Sequence, residues 1–278
     1  MYTLDNYLID QIKHHETKLN PDAEINLNNL GVFDSEINQL SDDILTSINN
    51  GADYYVDINY YTEAPSENKH SKSTPSLEEL SKSNIDQLIN DTVSRTTQTD
   101  EETTESGKVK RTLITTYTKG NTYLNASLVY TWIGVPKYTL TDIMDLYIKN
   151  GSPDYHTISR NYSCYMATFS NGAITTCKDT PSLKYNDHGV AAKQKLYSTN
   201  NAVGYFNHTL SLNYRANIDD MVSWRYVVLT GQYLHQQTSL SVNPSFSLTG
   251  IGSVSLAVSI QSKFTELTNP PQIFVYFK

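Results

Sequence analysis

The chain has 278 residues, 38% of them hydrophobic and 11% aromatic, which is enough for the packed core of one large or two ordinary domains and excludes disorder throughout. Its formal net charge of −8 hides a division: residues 1–108 carry 21 acidic and 7 basic side chains, whereas residues 109–278 carry 8 and 14. Those cations are spread through a Ser, Thr and Tyr background, so a nucleic-acid surface, which needs clustered Lys and Arg, is not expected.

Opposite charges suit docking of the two halves, within one chain or between neighbours; an acidic segment that serves only solubility gives the same count. No run of 18 apolar residues is present, so no transmembrane helix is expected. Asp5, Asp10 and Glu16 are incompatible with an intact signal peptide, leaving a cytoplasmic chain or a processed one. Composition favours an extracellular or cell-surface protein: tyrosine occurs 21 times against 7 phenylalanines, and Ser, Thr and Asn replace charge on the strand faces.

In chain order, Leu4, Tyr7, Leu8 and Ile12 predict a helix over residues 2–18. Ser35 caps a second helical pattern, with Ile37, Leu40, Ile44, Leu45 and Ile48, ending at Gly51. A strand is predicted from Asp53 to Thr62. Its alternation sends Tyr54 and Tyr60 to one side and Tyr55 and Tyr61 to the other. These four rings are candidate binding residues for a glycan or protein surface, or else pack between helix and sheet. Residues 64–75 read as linker, and a third helix is predicted from Ser76 with Glu78 and Glu79 in its first turn. Thr96 to Gly107 offers nothing to bury. The cluster Lys108-Val109-Lys110-Arg111 reads as a solvated strand end.

From Lys108 the pattern is β: a hairpin about Lys119-Gly120-Asn121, then strands near 146–149, 158–169, 173–177, 193–197, 205–214, 222–234 and 273–277. Trp132 and Trp224 fall in apolar strands and are read as core. Cys164 and Cys177 flank the turn signal Phe169-Ser170-Asn171-Gly172, which places them opposite one another in a hairpin, as a disulfide in an oxidising compartment or as two thiols. The fold class is mainly β: an antiparallel β-sandwich over 109–278, preceded by a smaller acidic, helix-containing region over 1–108.

Between Leu240 and Gln261 apolar residues alternate with small uncharged polar ones about Gly250-Ile251-Gly252. Closing this hairpin pairs Leu248 with Val254, Phe246 with Leu256, Pro244 with Val258 and Val242 with Ile260, all on one face, opposite a serine-lined face. An assembling or adhesive surface uses the serine face for contact. Alternatively the hairpin inserts into a membrane as the strand pair of a β-pore-forming toxin. The Ser/Thr-rich segment Thr92 to Thr118 lacks an apolar face in its first arm and is read as linker.

At Tyr130-Thr131-Trp132, followed by Pro136 and Thr141-Asp142-Ile143, the chain resembles uncharacterised secreted β-rich proteins of Gram-positive bacteria, which carry such a series ahead of a long β region. The resemblance covers Ser127 to the C-terminus, implies secretion, and implies no catalytic residue. Motifs for nucleotide binding, zinc hydrolysis and serine hydrolysis are absent, and no cofactor or metal is expected. Asp142 with Asp145, and Asp219 with Asp220, are the carboxylate pairs a glycosidase could use, but loops and turns account for them. His14-His15 and Asp187-His188 are read as surface. The expected function is a non-enzymatic extracellular protein acting in adhesion, ligand binding or self-assembly, with the pore-forming toxin as the alternative.

Overall fold

The computed structural model describes residues 19–63, 77–79, 108–136, 138–219, 225–237, 244–249, 254–256, 264–266 and 272–277. The helix expected over 2–18, both linkers, Trp224, Asp220, His14-His15 and the hairpin residues Val242, Val258 and Ile260 lie outside them.

Among the described residues, three short helices come first. Helix α1 (Pro21–Asn29) begins where Asn20 accepts a hydrogen bond from the Ala23 amide at 2.8 Å and Pro21 presets the first turn. Only Ala23 and Leu27 are buried in it, too few to print a helical period on the sequence. The single helix expected from Ser35 to Gly51 is two: α2 (Asp34–Ile37) and α3 (Asp42–Asn49). Ser41 accepts from the Ile44 amide and starts the second one anew, and Gly51, at φ +79°, follows its end as anticipated.

Eight strands form the first sheet: β1 (Asp53–Glu63), β2 (Leu77–Glu79), β3 (Lys108–Tyr117), β4 (Tyr123–Ile133), β6 (Gly151–Pro153), β7 (Ser159–Thr168), β8 (Ile174–Asp179) and β11 (Val203–Ile218). Their order is β2-β1-β3-β4-β11-β7-β8, with β6 also on β11. The second sheet runs β15-β12-β5-β10-β9, with β16 also on β12, from β5 (Thr141–Lys149), β9 (Ser182–Asn186), β10 (Gly189–Lys195), β12 (Tyr226–Gln236), β15 (Phe264–Glu266) and β16 (Gln272–Tyr276). All the pairings within these sheets are antiparallel. The first turn of the helix predicted from Ser76 is instead a strand: Leu77–Glu79 pairs with Tyr61–Glu63, because the outer edge of β1 offers a ladder there, and the remainder of that prediction lies outside the described residues.

The sheets pack face to face as a sandwich around Leu128, Trp132, Met144, Leu146, Leu229 and Tyr233, all essentially inaccessible. Gly231 marks a close approach, since a Cβ there would stand 2.5 Å from Leu128 Cδ2. The helices cover the outer face of the eight-stranded sheet, where Leu27, Ile37, Ile44 and Ile48 meet Ile114 of β3 and Val56 and Ile58 of β1. A separate hairpin, β13 (Phe246–Leu248) with β14 (Val254–Leu256), lies on the outer face of the six-stranded sheet against Ile143, Ala191, Leu234 and Phe264. Its register, Phe246 opposite Leu256 and Leu248 opposite Val254, is the one the alternation dictates.

The change of charge at residue 108 is not a break in hydrogen bonding. Strand β1 pairs with β3 from Asp53 opposite Tyr117 to Thr62 opposite Lys108. Lys110 and Arg111, read as a solvated strand end, are instead buried. Both have partners in the acidic region, which no local charge pattern reveals.

Candidate binding groove

The helices are fixed to the sheet by charge as well as by apolar packing. Glu36 of α2 forms a fully buried ion pair with Lys110 of β3. The same carboxylate accepts from the Thr112 hydroxyl and the Phe33 amide, each at 2.9 Å, while the ammonium donates to the Gly31 carbonyl and lies 3.4 Å from the Phe33 ring centroid. Burial pulls the Lys110 ammonium below its usual pKa, and Glu36 opposes that pull. Arg215 pairs with Asp43 at 2.9 Å nearer the solvent, and Arg111 reaches Asp57 at 3.7 Å and Asn59 Oδ1 at 2.7 Å. In each case a cation of the basic part meets an acid of the acidic part.

This docking leaves a groove of about 350 Å³ beside the helices, within the range of ligand pockets. Phe33, Ser35, Asn38 and Gln39 form one wall. Gln39 fastens that wall: its amide donates to Ser163 Oγ at 3.2 Å, and its backbone carbonyl accepts from Asn213 at 3.1 Å. The floor is a row of register partners, Thr131 on β4 opposite Thr209 on β11, Thr209 opposite Ser163 on β7, and Ser163 opposite Lys178 on β8. Directly paired residues face the same way, so three hydroxyls lead across the sheet to one ammonium. Beside them, Asn207 occupies a bulge at φ +49° and is held by two hydrogen bonds with Gly134, at 2.8 and 2.9 Å. Tyr165 and Thr176 complete the rim, and among the described residues no carboxylate lines the groove.

Cys164 lies in the groove and is joined to Cys177 by a disulfide between register partners with a Cα–Cα distance of 5.1 Å. The turn at 169–172 places them as expected, with the Gly172 amide bonded to the Thr168 carbonyl at 2.8 Å. Strand β8 ends the sheet among the described residues, so the disulfide reinforces its single ladder with β7 in holding the rim residues Thr176 and Lys178 to the body.

The four tyrosines do not form an exposed platform. Tyr60 and Tyr61 are buried and Tyr54 and Tyr55 half-buried, because β1 is covered on both sides. Tyr54 packs toward the helices, Tyr55 and Tyr61 into the sandwich core. Burial, reinforced by Glu36, pushes the Tyr60 phenol up to about 12.

Asp142 and Asp145, read as loop and turn residues, are both buried within β5. Three positions apart in a strand, they project to opposite faces and cannot flank one sugar. Asp142 is inside the sandwich, 2.6 Å from His235 Nδ1, and accepts from Trp132 Nε1 at 3.0 Å and from the Tyr233 hydroxyl. Close by, His208 Nδ1 is 2.6 Å from the Tyr162 hydroxyl, and burial lowers its pKa to about 4. Asp145 accepts from the Gln232 amide at 2.8 Å and the Val254 amide at 2.7 Å, and burial outweighs these bonds to raise its pKa to about 8. Among the described residues, no three His, Cys, Asp or Glu side chains are grouped to hold a metal. Asp187 and Asp219 are exposed.

The β13–β14 hairpin is held largely by side chains. Asp145 and Gln232 accept from the Val254 amide, Lys193 donates to the Pro244 carbonyl at 2.9 Å, and Asn186 donates to the Thr249 carbonyl at 2.6 Å. Phe246 and Val254 are buried, Leu248 and Leu256 half-buried, and Ser247 and Ser255 exposed.

Sequence reasoning missed the groove residues because they come from five separate segments. The visible signal was a polar alternation, Asn125, Ser127 and Thr131 on β4 and Thr209, Ser211 and Asn213 on β11, opposite the apolar one.

No protein-family model matches the chain, and no curated protein matches its sequence. Among solved structures it is similar to the collagen-binding subdomain of the Enterococcus faecalis surface protein ACE, at 6% identity and TM-score 0.28, over 58% of this chain and 91% of that one. It is similar to the Streptococcus pneumoniae pilus backbone RrgB, at 12% identity and TM-score 0.29, over 58% of this chain and 42% of that one. It is also similar to the membrane-inserted Clostridium perfringens NetB toxin, at 7% identity and TM-score 0.22, over 63% and 91%. The first two are Gram-positive surface proteins. At such TM-scores none of these likenesses bears on function.

Proposed function

We propose that this chain is a non-enzymatic extracellular surface protein that acts in adhesion or assembly by binding a partner molecule in the groove between its acidic helices and the eight-stranded sheet. The observation that carries the reading is the cross-strand row Thr131, Thr209, Ser163 and Lys178, walled by Phe33 to Gln39. It is a preorganised hydrogen-bonding surface that carries one ammonium, with no acid or nucleophile–base pair beside it among the described residues. The Cys164–Cys177 disulfide supports an oxidising, extracellular location. The test is ligand-dependent thermal stabilisation of the full chain and of Ser163→Trp, whose indole fills the groove. Ligands that raise Tm in the wild type and not in the variant support the reading; equal shifts in both count against it.

A second reading, a pore-forming protein, draws on the hairpin. An element latched by side chains, with an apolar face inward and serines outward, is built to come away without breaking a continuous sheet. Dye release from liposomes tests it.

A further inference from the structure

We propose that the groove takes a short acidic glycan, laid across the strands with its carboxylate or sulfate at Lys178; this rests on the groove being the binding site. The lining decides the class. Thr131, Thr209, Ser163, Ser35 and Thr176 contribute hydroxyls, and Asn38, Gln39 and Asn207 contribute amides. Groups of both kinds donate and accept, which matches sugar hydroxyls, themselves both donors and acceptors.

Other ligand classes fit less well. An amine or metal cation meets no counter-charge among the described residues, none of whose carboxylates lines the groove. A nucleic acid needs several phosphate contacts, and among the described residues one ammonium lines the groove. A peptide added as a strand would pair only along the β8 edge, since β4, β11 and β7 each have partners on both sides, and would leave the floor at Thr131 and Thr209 uncontacted. A purely apolar ligand would cover the exposed Asn38 amide and Lys178 ammonium without satisfying them.

The dimensions follow from the register. Four strands spaced about 4.8 Å apart make the row roughly 14 Å long. One strand spacing is close to the length of one sugar unit, so successive units meet Thr131, Thr209 and Ser163 in turn. The row ends at Lys178, while the neighbouring acid Asp179 is engaged elsewhere, accepting from Gln194 at 3.2 Å. The ammonium is therefore directed to an anion on the ligand. Tyr165, half-buried on the rim, adds apolar contact for a sugar ring.

The experiment is calorimetric titration of the full oxidised chain with three probes on one scaffold: an N-acetylglucosamine disaccharide, its glucuronic-acid counterpart and its 6-sulfated counterpart. Lys178 is exposed, so the two anionic probes are expected to bind about two- to fivefold more tightly than the neutral one at low salt. That advantage is expected to vanish in Lys178→Gln and in high salt, with the neutral probe unaffected. Carboxylate and sulfate are told apart by which charged probe keeps the larger advantage. Equal affinity for neutral and charged probes in the wild type, or an advantage that survives Lys178→Gln, overturns the inference and leaves the groove standing. No binding of any sugar also overturns it; if Ser163→Trp then abolishes stabilisation by some peptide or protein, the groove reading survives alone.

Discussion

Glu36 and Lys110 meet as a buried ion pair although 74 residues separate them, and both side chains are wholly inaccessible. The pair joins the acidic part of the chain to the basic part and positions the turn that carries Phe33 and Ser35 into the groove. Removing one partner strands the other charge without water. Lys110→Met is predicted to cost about 3–5 kcal/mol in chemical denaturation, and Glu36→Gln in the same background to recover much of it. Additive losses in the double variant would contradict this coupling.

The exposed pair Asp43–Arg215 gives the contrasting case. At 2.9 Å but in contact with solvent, it is expected to contribute less than about 1 kcal/mol and to be screened by salt. Arg215→Gln should therefore shift the denaturation midpoint slightly at low salt and not at high salt. A large, salt-independent shift would show that a different contact of Arg215 matters.

Cys164→Ser is predicted to lower stability by about 2–4 kcal/mol and to weaken groove binding, because β8 is then free to fray with Thr176 and Lys178. Mass spectrometry that found two free thiols in native protein would refute the disulfide itself.

Two buried groups set opposite pH slopes. His208 titrates near 4 in the fold and near 6.5 when unfolded, so the unfolded state holds more protons between those values. The stability it contributes is complete above about 6.5 and is lost as pH falls toward 4, by about 3 kcal/mol. Asp145, raised to about 8, behaves the other way: its protonated form favours the fold, and stability falls as pH rises from about 4 to 8. Between about pH 4 and 6.5 the two slopes offset, so Asp145→Asn should leave stability falling as pH drops through that range, and His208→Gln should leave it falling as pH rises through it. Unchanged profiles in both variants would contradict these assignments.

What the sequence reveals follows how local the signal is. The β13–β14 register was legible because alternation about a short turn leaves one pairing that buries Phe246 and Val254 together, and the disulfide because a turn sits midway between two cysteines. The fates of Lys110 and Arg111 were not legible, since a buried cation looks solvated until its distant partner is known. Tyr54, Tyr55, Tyr60 and Tyr61 were ambiguous for a related reason: alternation sorts rings to two faces and does not say that both are covered. The groove was hidden most fully, because its row exists only when β4, β11, β7 and β8 lie in register beneath Phe33 to Gln39.

The most direct test of groove binding is a backbone amide shift map of the oxidised chain titrated with the glucuronic-acid disaccharide. The account predicts perturbations confined to residues 33–39 and to Thr131, Ser163, Thr176, Lys178, Asn207 and Thr209, all absent in Ser163→Trp. Perturbations centred on the β13–β14 hairpin, or the same map in wild type and variant, would contradict it.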